Sequence, residues 1–156
     1  MPQLSFRTSL LDALTLTEED GAIVALDWGW ARDQADTPLL ATARTQLEEY
    51  LDGERRSFDL PLRPHGTPYR LKVWAELVTI PFGHTLTYTQ LAARAGGVAR
   101  SIGGAMGSNP IPIIIPCHRV LAATGLGGFS GGDGLETKRR LLHLEQRMAG
   151  QTAVLL

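Results

Sequence analysis

One cysteine, Cys117, stands in a chain of 156 residues. No disulfide within the chain can therefore hold the fold, and no cysteine cluster can hold a structural zinc. Stability has to come from an apolar core. At this length folding buries roughly two-thirds of the unfolded surface, enough for such a core. The 44% hydrophobic and 20% charged content belongs to a globular chain, not a disordered one. A lone thiol predicts a reducing compartment. Residues 1–6 lack the basic start and apolar stretch of a signal peptide. The longest apolar run, 111–116, is too short to span a bilayer. The expectation is a cytoplasmic protein with no membrane segment.

The net charge of -1 conceals an asymmetry. Residues 1–68 carry 6 basic against 12 acidic side chains, and residues 69–156 carry 9 against 4. A basic C-terminal half predicts a polyanionic partner for that half alone.

The residue pattern divides the chain in two. Residues 14–16 and 22–28 are apolar runs separated by Glu18, Glu19, Asp20 and Gly21, which predicts a β-hairpin with a glycine turn. Thr37 and Pro38 form a cap-then-proline start for a helix with Leu40, Ala43, Leu47 and Leu51 on one face and Gly53 as its stop. Residues 58–62 read as one more strand, and the proline-rich stretch 61–66 as a linker at the charge boundary. Thr67 and Pro68 repeat the helix-start signal, with Leu71, Trp74 and Val78 sharing a face. Pro81, Phe82 and Gly83 break that helix. Thr87 with Gln90 has the form of a capping box for a short helix to Ala95. After Gly96 and Gly97 a second short helix fits 98–108, so the pair reads as a helix-turn-helix. Gly103, Gly104 and Ala105 weaken that second helix but give it a bare surface. The proline-bracketed run 111–116 reads as extended and buried. A glycine-rich loop follows, then a last helix over 135–148 with Leu141, Leu144 and Met148 inward.

Chemistry is expected at Cys117. A thiol is a strong nucleophile only as thiolate, and a neighbouring imidazole that takes its proton supplies one. His118 is adjacent in sequence. Glu145, among inward-facing residues of the last helix, is placed to orient that imidazole, and the sulfur is expected to be ionised at rest.

The segment from Asn109 through Pro110, Pro112, Pro116, Cys117, His118 and Arg119 to Val120 resembles the active-site signature of the O6-alkylguanine-DNA alkyltransferases, the methylated-DNA–protein-cysteine methyltransferases. The likeness extends over 67–145 and is weaker before 64. It implies an α+β fold with three parts: a small N-terminal α/β (ribonuclease H-like) domain at 1–64, a mostly helical C-terminal domain with a helix-turn-helix at 67–148, and a tail at 149–156. It also implies roles. Cys117 is the alkyl acceptor, ionised by His118 through a bridging water, with Glu145 orienting the histidine. Tyr88 donates a proton to the departing guanine. Arg100 fills the gap left by the flipped nucleotide. Asn109 is the hinge between the DNA-reading helix and the nucleophile strand. The carbonyls of Cys117 and Val120 and the side chain of Ser130 contact the base, and Pro112 lines the alkyl pocket. Gly103, Gly104 and Ala105 face the minor groove. By their charge alone, Arg119, Arg94 and Lys72 are further candidates for contact with phosphate.

The implied partner is double-stranded DNA carrying O6-alkylguanine, with O4-alkylthymine as a second substrate. The implied protein is a monomer with no cofactor and no metal. His65, His84 and His143 read as surface histidines, and Trp28, Trp30 and Trp74 as core or interface. Phe129 stands where the family more often has tyrosine, Asp133 and Gly134 form a small insertion, and the reading helix lacks a basic residue at 107–108. Two other readings predict different behaviour. A non-reactive lesion-binding module binds without transfer, and a thiol hydrolase or acyltransferase turns over a small ester without regard to DNA.

Overall fold

The computed structural model describes residues 1–129 and 131–150. The chain divides into two compact units, Met1–His65 and the chain from Gly66 onward.

In the first unit β1 (Gln3–Thr8), β2 (Asp12–Glu19) and β3 (Ala22–Trp28) form an antiparallel sheet in sequential order. The hairpin expected between the second and third strands forms, with Asp20 at φ 48° and Gly21 at φ 78°. Both central residues of such a two-residue turn must take positive φ, which Asp-Gly tolerates. Strand β1 was not anticipated. Its Phe6 pairs with Leu14 and its Leu4 with Leu16, extending one apolar face. Helix α1 (Pro38–Leu51) covers that face with Leu40, Ala43, Leu47 and Tyr50, and its Arg44 guanidinium lies 5.3 Å from the Phe6 ring centroid. Thr37 Oγ1 accepts the Leu40 N–H as its cap. Leu51, expected inward, is only half-buried.

No strand forms over 58–62. Only Leu62 bridges, in parallel, to Ile23, with Ile23 N–H donating to Pro61 O and Arg63 N–H to Ile23 O. Pro61 and Pro64 bracket the bridge and have no N–H to extend a ladder. Trp30 is exposed beneath the Arg7 guanidinium, not part of the core. His65 pairs with Glu19 at 3.6 Å.

The second unit holds α2 (Pro68–Val78), α3 (Tyr88–Ala95), α4 (Ala99–Gly107) and α5 (Leu135–Met148), with a two-residue parallel pair of β4 (Leu86–Thr87) and β5 (Val120–Leu121). No helix among the described residues is long and apolar enough to cross a membrane. The capping box at Thr87 and Gln90 is present in both directions. On α2 the inward face is Val73, Trp74 and Leu77, whereas Leu71 is 40% and Val78 53% exposed. Trp74 sets this rotation. Its indole N–H needs an acceptor when buried, and it finds the Ala105 carbonyl of α4 at 2.7 Å. On α5 Met148 is exposed, and Leu142 joins Leu141 and Leu144 in the core.

The largest departure is the 111–116 run, which is buried as expected but not extended. It curls into a tight turn in which Ile115 N–H donates to Ile111 O and Ile114 N–H to Pro112 O. Ile113 sits at φ 71°, a conformation that β-branched residues rarely adopt and that surrounding contacts must impose. Asn109 supplies two of them. Its Oδ1 accepts Ile111 N–H and its Nδ2 donates to Ile115 O.

The turn between α3 and α4 constrains Gly97 in two ways. Its φ is 89°, and a Cβ there would meet Ser101 Oγ at 2.5 Å and press closer still on Tyr69 Oη. Gly97→Ala is expected to destabilise the fold by roughly 1–3 kcal/mol. A lower urea midpoint at unchanged m-value is the readout, and an unchanged midpoint would contradict the crowding.

Candidate active site

Residues 117–119 form a single 3-10 turn (Cys117–Arg119), so three successive side chains leave the backbone in divergent directions. All three are buried. The group that His118 and Arg119 meet comes from α5, whose inward face carries Leu141, Leu142 and Leu144 together with two charged residues seven positions apart, Lys138 and Glu145.

Glu145 is 1% exposed and its carboxylate is fully engaged. His118 Nε2 lies 2.6 Å from Oε2, Arg119 donates from Nε to Oε1 at 2.8 Å and from Nη2 to Oε2 at 3.0 Å, and Gly83 N–H reaches Oε1 at 3.2 Å. Burial alone would raise this carboxyl's pKa. The charges and hydrogen bonds of His118 and Arg119 outweigh it and hold the group well below the usual carboxylate range. An ionised carboxylate accepts only, so His118 carries its proton on Nε2. When the ring is neutral the lone pair is then on Nδ1, which is buried and has no hydrogen-bond partner among the described residues. The site thus contains a base atom with its tautomer fixed from behind.

Arg119 also donates from Nη1 to Ile80 O at 2.7 Å and stacks over Phe82 at 5.8 Å. It is a buried structural cation, not the DNA contact expected of it. The expectation failed because its partner lies 26 residues away on another helix.

Cys117 is 7% exposed. Burial pushes its thiol up, and the Asn109 hydrogen bond, the Lys138 charge and a backbone contact offset this only in part. Burial therefore works against the resting thiolate expected from the residue types.

Lys138 had no assigned role in the sequence. It is buried, and Nζ donates to Val120 O at 2.6 Å and Gly128 O at 3.2 Å. Burial draws its pKa down to about 8, and the proximity of Cys117 works against this. A lysine on the leucine face of a helix, in heptad step with a buried glutamate, was the available signal. Gly128 N–H in turn lies 3.3 Å from Tyr88 Oη, leaving the phenol's proton for another acceptor. Tyr88 packs against the glycine loop so closely that a Cβ on Gly127 would come within 2.9 Å of its ring. One continuous set of contacts therefore joins Tyr88, Gly128, Lys138 and Val120. The Val120 carbonyl is already engaged but keeps a second lone pair, and the Cys117 carbonyl accepts Val120 N–H.

Pro112 is buried within the 111–116 turn. Arg100 is exposed in the first turn of α4. Gly103 and Gly104 are exposed, and a Cβ on either would meet nothing within 4 Å, so they do form a bare surface. Ala105 does not share it. At 1% exposure it faces inward, and its carbonyl accepts the Trp74 indole N–H. Ser130 lies outside the described residues.

Comparison with known proteins covers both units. Residues 68–147 match the family description "6-O-methylguanine DNA methyltransferase, DNA binding domain", and residues 5–64 match "6-O-methylguanine DNA methyltransferase, ribonuclease-like domain". The constitutive methylated-DNA–protein-cysteine methyltransferase of Bacillus subtilis (strain 168) is 39% identical over 150 residues, spanning 87% of this chain and 90% of that protein. The methylated-DNA–protein-cysteine methyltransferase of Mycobacterium tuberculosis (strain H37Rv) is 44% identical over 117 residues, spanning 73% and 70%. The crystal structure of Mycobacterium tuberculosis OGT in complex with DNA superposes with a TM-score of 0.84 at 35% identity, covering 95% of this chain and 94% of that one. With a paired histidine next to a lone buried cysteine, an α+β fold of two units, and matches along both of them, the chain belongs to the 6-O-methylguanine DNA methyltransferase family.

Proposed function

We propose that this protein repairs double-stranded DNA by moving the alkyl group of O6-alkylguanine, and of O4-alkylthymine, onto its own Cys117, one lesion per molecule. The observation that carries the reading is the Glu145-bound His118, whose Nδ1 is left as a base beside the lone buried cysteine.

A stacked base cannot reach the sulfur of a residue that is only 7% exposed. The nucleotide has to leave the helix, at a cost of a few kcal/mol. Arg100, exposed on the first turn of α4, is placed to fill the gap, and the bare Gly103 and Gly104 surface lets α4 lie close in the minor groove. The thiol then gives its proton through a bridging water to His118 Nδ1. The sulfur attacks the alkyl carbon, an S–C bond forms, and the C–O6 bond breaks with its electron pair going to the base. Tyr88 supplies the proton that neutralises the departing purine and is reprotonated from solvent, as His118 returns its proton there. The Val120 carbonyl, with its second lone pair, receives the guanine amino group, and Asn109 holds the 111–116 turn behind the sulfur. Lys138 supplies a positive charge that favours the thiolate when it forms. The product thioether has no leaving group activated toward water, so the protein is spent after one event.

On this reading the unit from Gly66 onward binds DNA and performs the transfer as a monomer. The single free thiol suits the reducing cytoplasm. The test is to incubate the protein with a duplex carrying O6-methylguanine and weigh the peptide that contains Cys117. One methyl in place of one hydrogen, in a burst equal to the protein added, is expected. Unmodified peptide with intact lesions would sink the proposal, and repeated turnover would make it a hydrolase.

A further inference from the structure

We propose that Tyr69 is a positioning residue of the DNA-dependent step, fixing through its hydroxyl the turn from which Arg100 enters the helix. The inference rests on the function proposed above and concerns a residue that lies on α2, outside both the helix-turn-helix and the cysteine site.

Tyr69 Oη donates to the Gly96 carbonyl at 2.8 Å and lies 3.1 Å from Ser101 Oγ. Ser101 Oγ in turn accepts Val98 N–H at 3.0 Å and lies 2.9 Å from Val98 O. Two hydroxyl protons have to serve these contacts. Tyr69 O–H serves Gly96 O, and the one Ser101 hydroxyl proton is divided between Val98 O and Tyr69 Oη, so the chain runs from the Val98 backbone through both hydroxyls to Gly96 O. Both ends of the chain lie in the α3–α4 turn, and its middle is anchored on another helix. The space that a Cβ of Gly97 would occupy is taken by this pair of hydroxyls. The turn is otherwise weakly determined. It contains two glycines at φ 87° and 89°, and the N-cap of α4 is Val98, which has no hydroxyl or carboxylate to cap it.

Farther along, α4 is fixed to the same helix by Trp74 Nε1 donating to Ala105 O. Helix α2 therefore holds α4 at both ends, and Arg100 projects from between the two points. An inserted side chain opposes the re-stacking of a base pair only if its backbone does not yield. A glycine turn without the latch would give way, and part of the insertion energy would go into moving the helix instead of opening DNA.

The experiment compares Tyr69→Phe with the unaltered protein on two substrates, duplex DNA carrying O6-methylguanine and O6-methylguanine as the free base, together with amide exchange at Val98. Loss of one neutral hydrogen-bond link predicts about a three- to tenfold slower transfer from DNA. Transfer from the free base should be unchanged, because no insertion is needed, and Val98 should exchange faster. Ser101→Ala breaks the same chain from its other side, so the double variant should be no slower on DNA than the worse single one. Unchanged transfer from DNA, or an equal fall on both substrates, overturns the proposal. If the unaltered protein takes a methyl from neither substrate, the proposed function fails. The exchange result still decides the latch in that case, and unchanged protection at Val98 overturns it.

Discussion

Cys117→Ser is expected to abolish alkyl transfer while leaving lesion recognition intact. The substitution keeps the side-chain shape and removes only the nucleophile. A hydroxyl is far harder to ionise than a thiol, and the features that help Cys117 lose its proton (the Asn109 hydrogen bond and the Lys138 charge) do not close that gap. Affinity for a duplex carrying O6-methylguanine should stay within a factor of about three, because phosphate contacts dominate it and Cys117 makes none. Fluorescence anisotropy for binding and peptide mass for transfer, on one preparation, read both quantities. A variant that still clears lesions would show that the acceptor is another group. One that loses binding and transfer together would show that the cysteine supports the fold of the DNA-binding unit, not its chemistry.

Glu145→Gln is expected to cost about 3–5 kcal/mol of stability, since it removes one partner of a buried charge pair and leaves the other buried. Arg119 would keep its positive charge in a site where three of the four contacts to the carboxylate come from itself and His118. A glutamine also places an NH2 against a donor on one side, either the His118 Nε2–H or the Arg119 fork. The effect depends on pH with a definite sign. Glu145 has its pKa depressed in the folded state, so the unfolded chain binds a proton first as the medium is acidified. The stabilisation is complete above the unfolded carboxylate value near 4.5 and diminishes as pH falls below it. Urea unfolding at pH 7 should separate the two proteins widely, and at pH 3 the separation should narrow. A variant within 1 kcal/mol of the parent at pH 7, where losing a buried partner should cost several, would mean that the pair is solvated. Transfer should fall as well, since the glutamine no longer fixes the proton on His118 Nε2.

Much of the architecture was legible before any coordinates. The hairpin at Asp20 and Gly21, the caps at Thr37, Thr67 and Thr87 and the helix breaks near 81–83 and 96–97 all stand where the residues place them. The glutamate that orients His118 was also found, from its place on the inward face of α5. Less was legible about orientation. The face of α2 was assigned through Leu71 and Val78, and the acceptor for Trp74 turned it toward Val73 and Leu77. Arg119 was placed on the DNA by its charge, and Lys138 was passed over.

Sequence by itself determined what depends on contacts within about one turn of chain: caps, tight turns, helix breaks, and the adjacency of Cys117 and His118. These rest on backbone geometry and hydrogen bonds between near neighbours, which residue types specify directly. Tertiary structure decided where buried charge goes, and with it the burial that pushes the Cys117 thiol up. Arg119, Lys138 and Glu145 are buried because partners 10 to 62 residues away meet them, and a burial cost that only such distant groups can offset leaves no local trace.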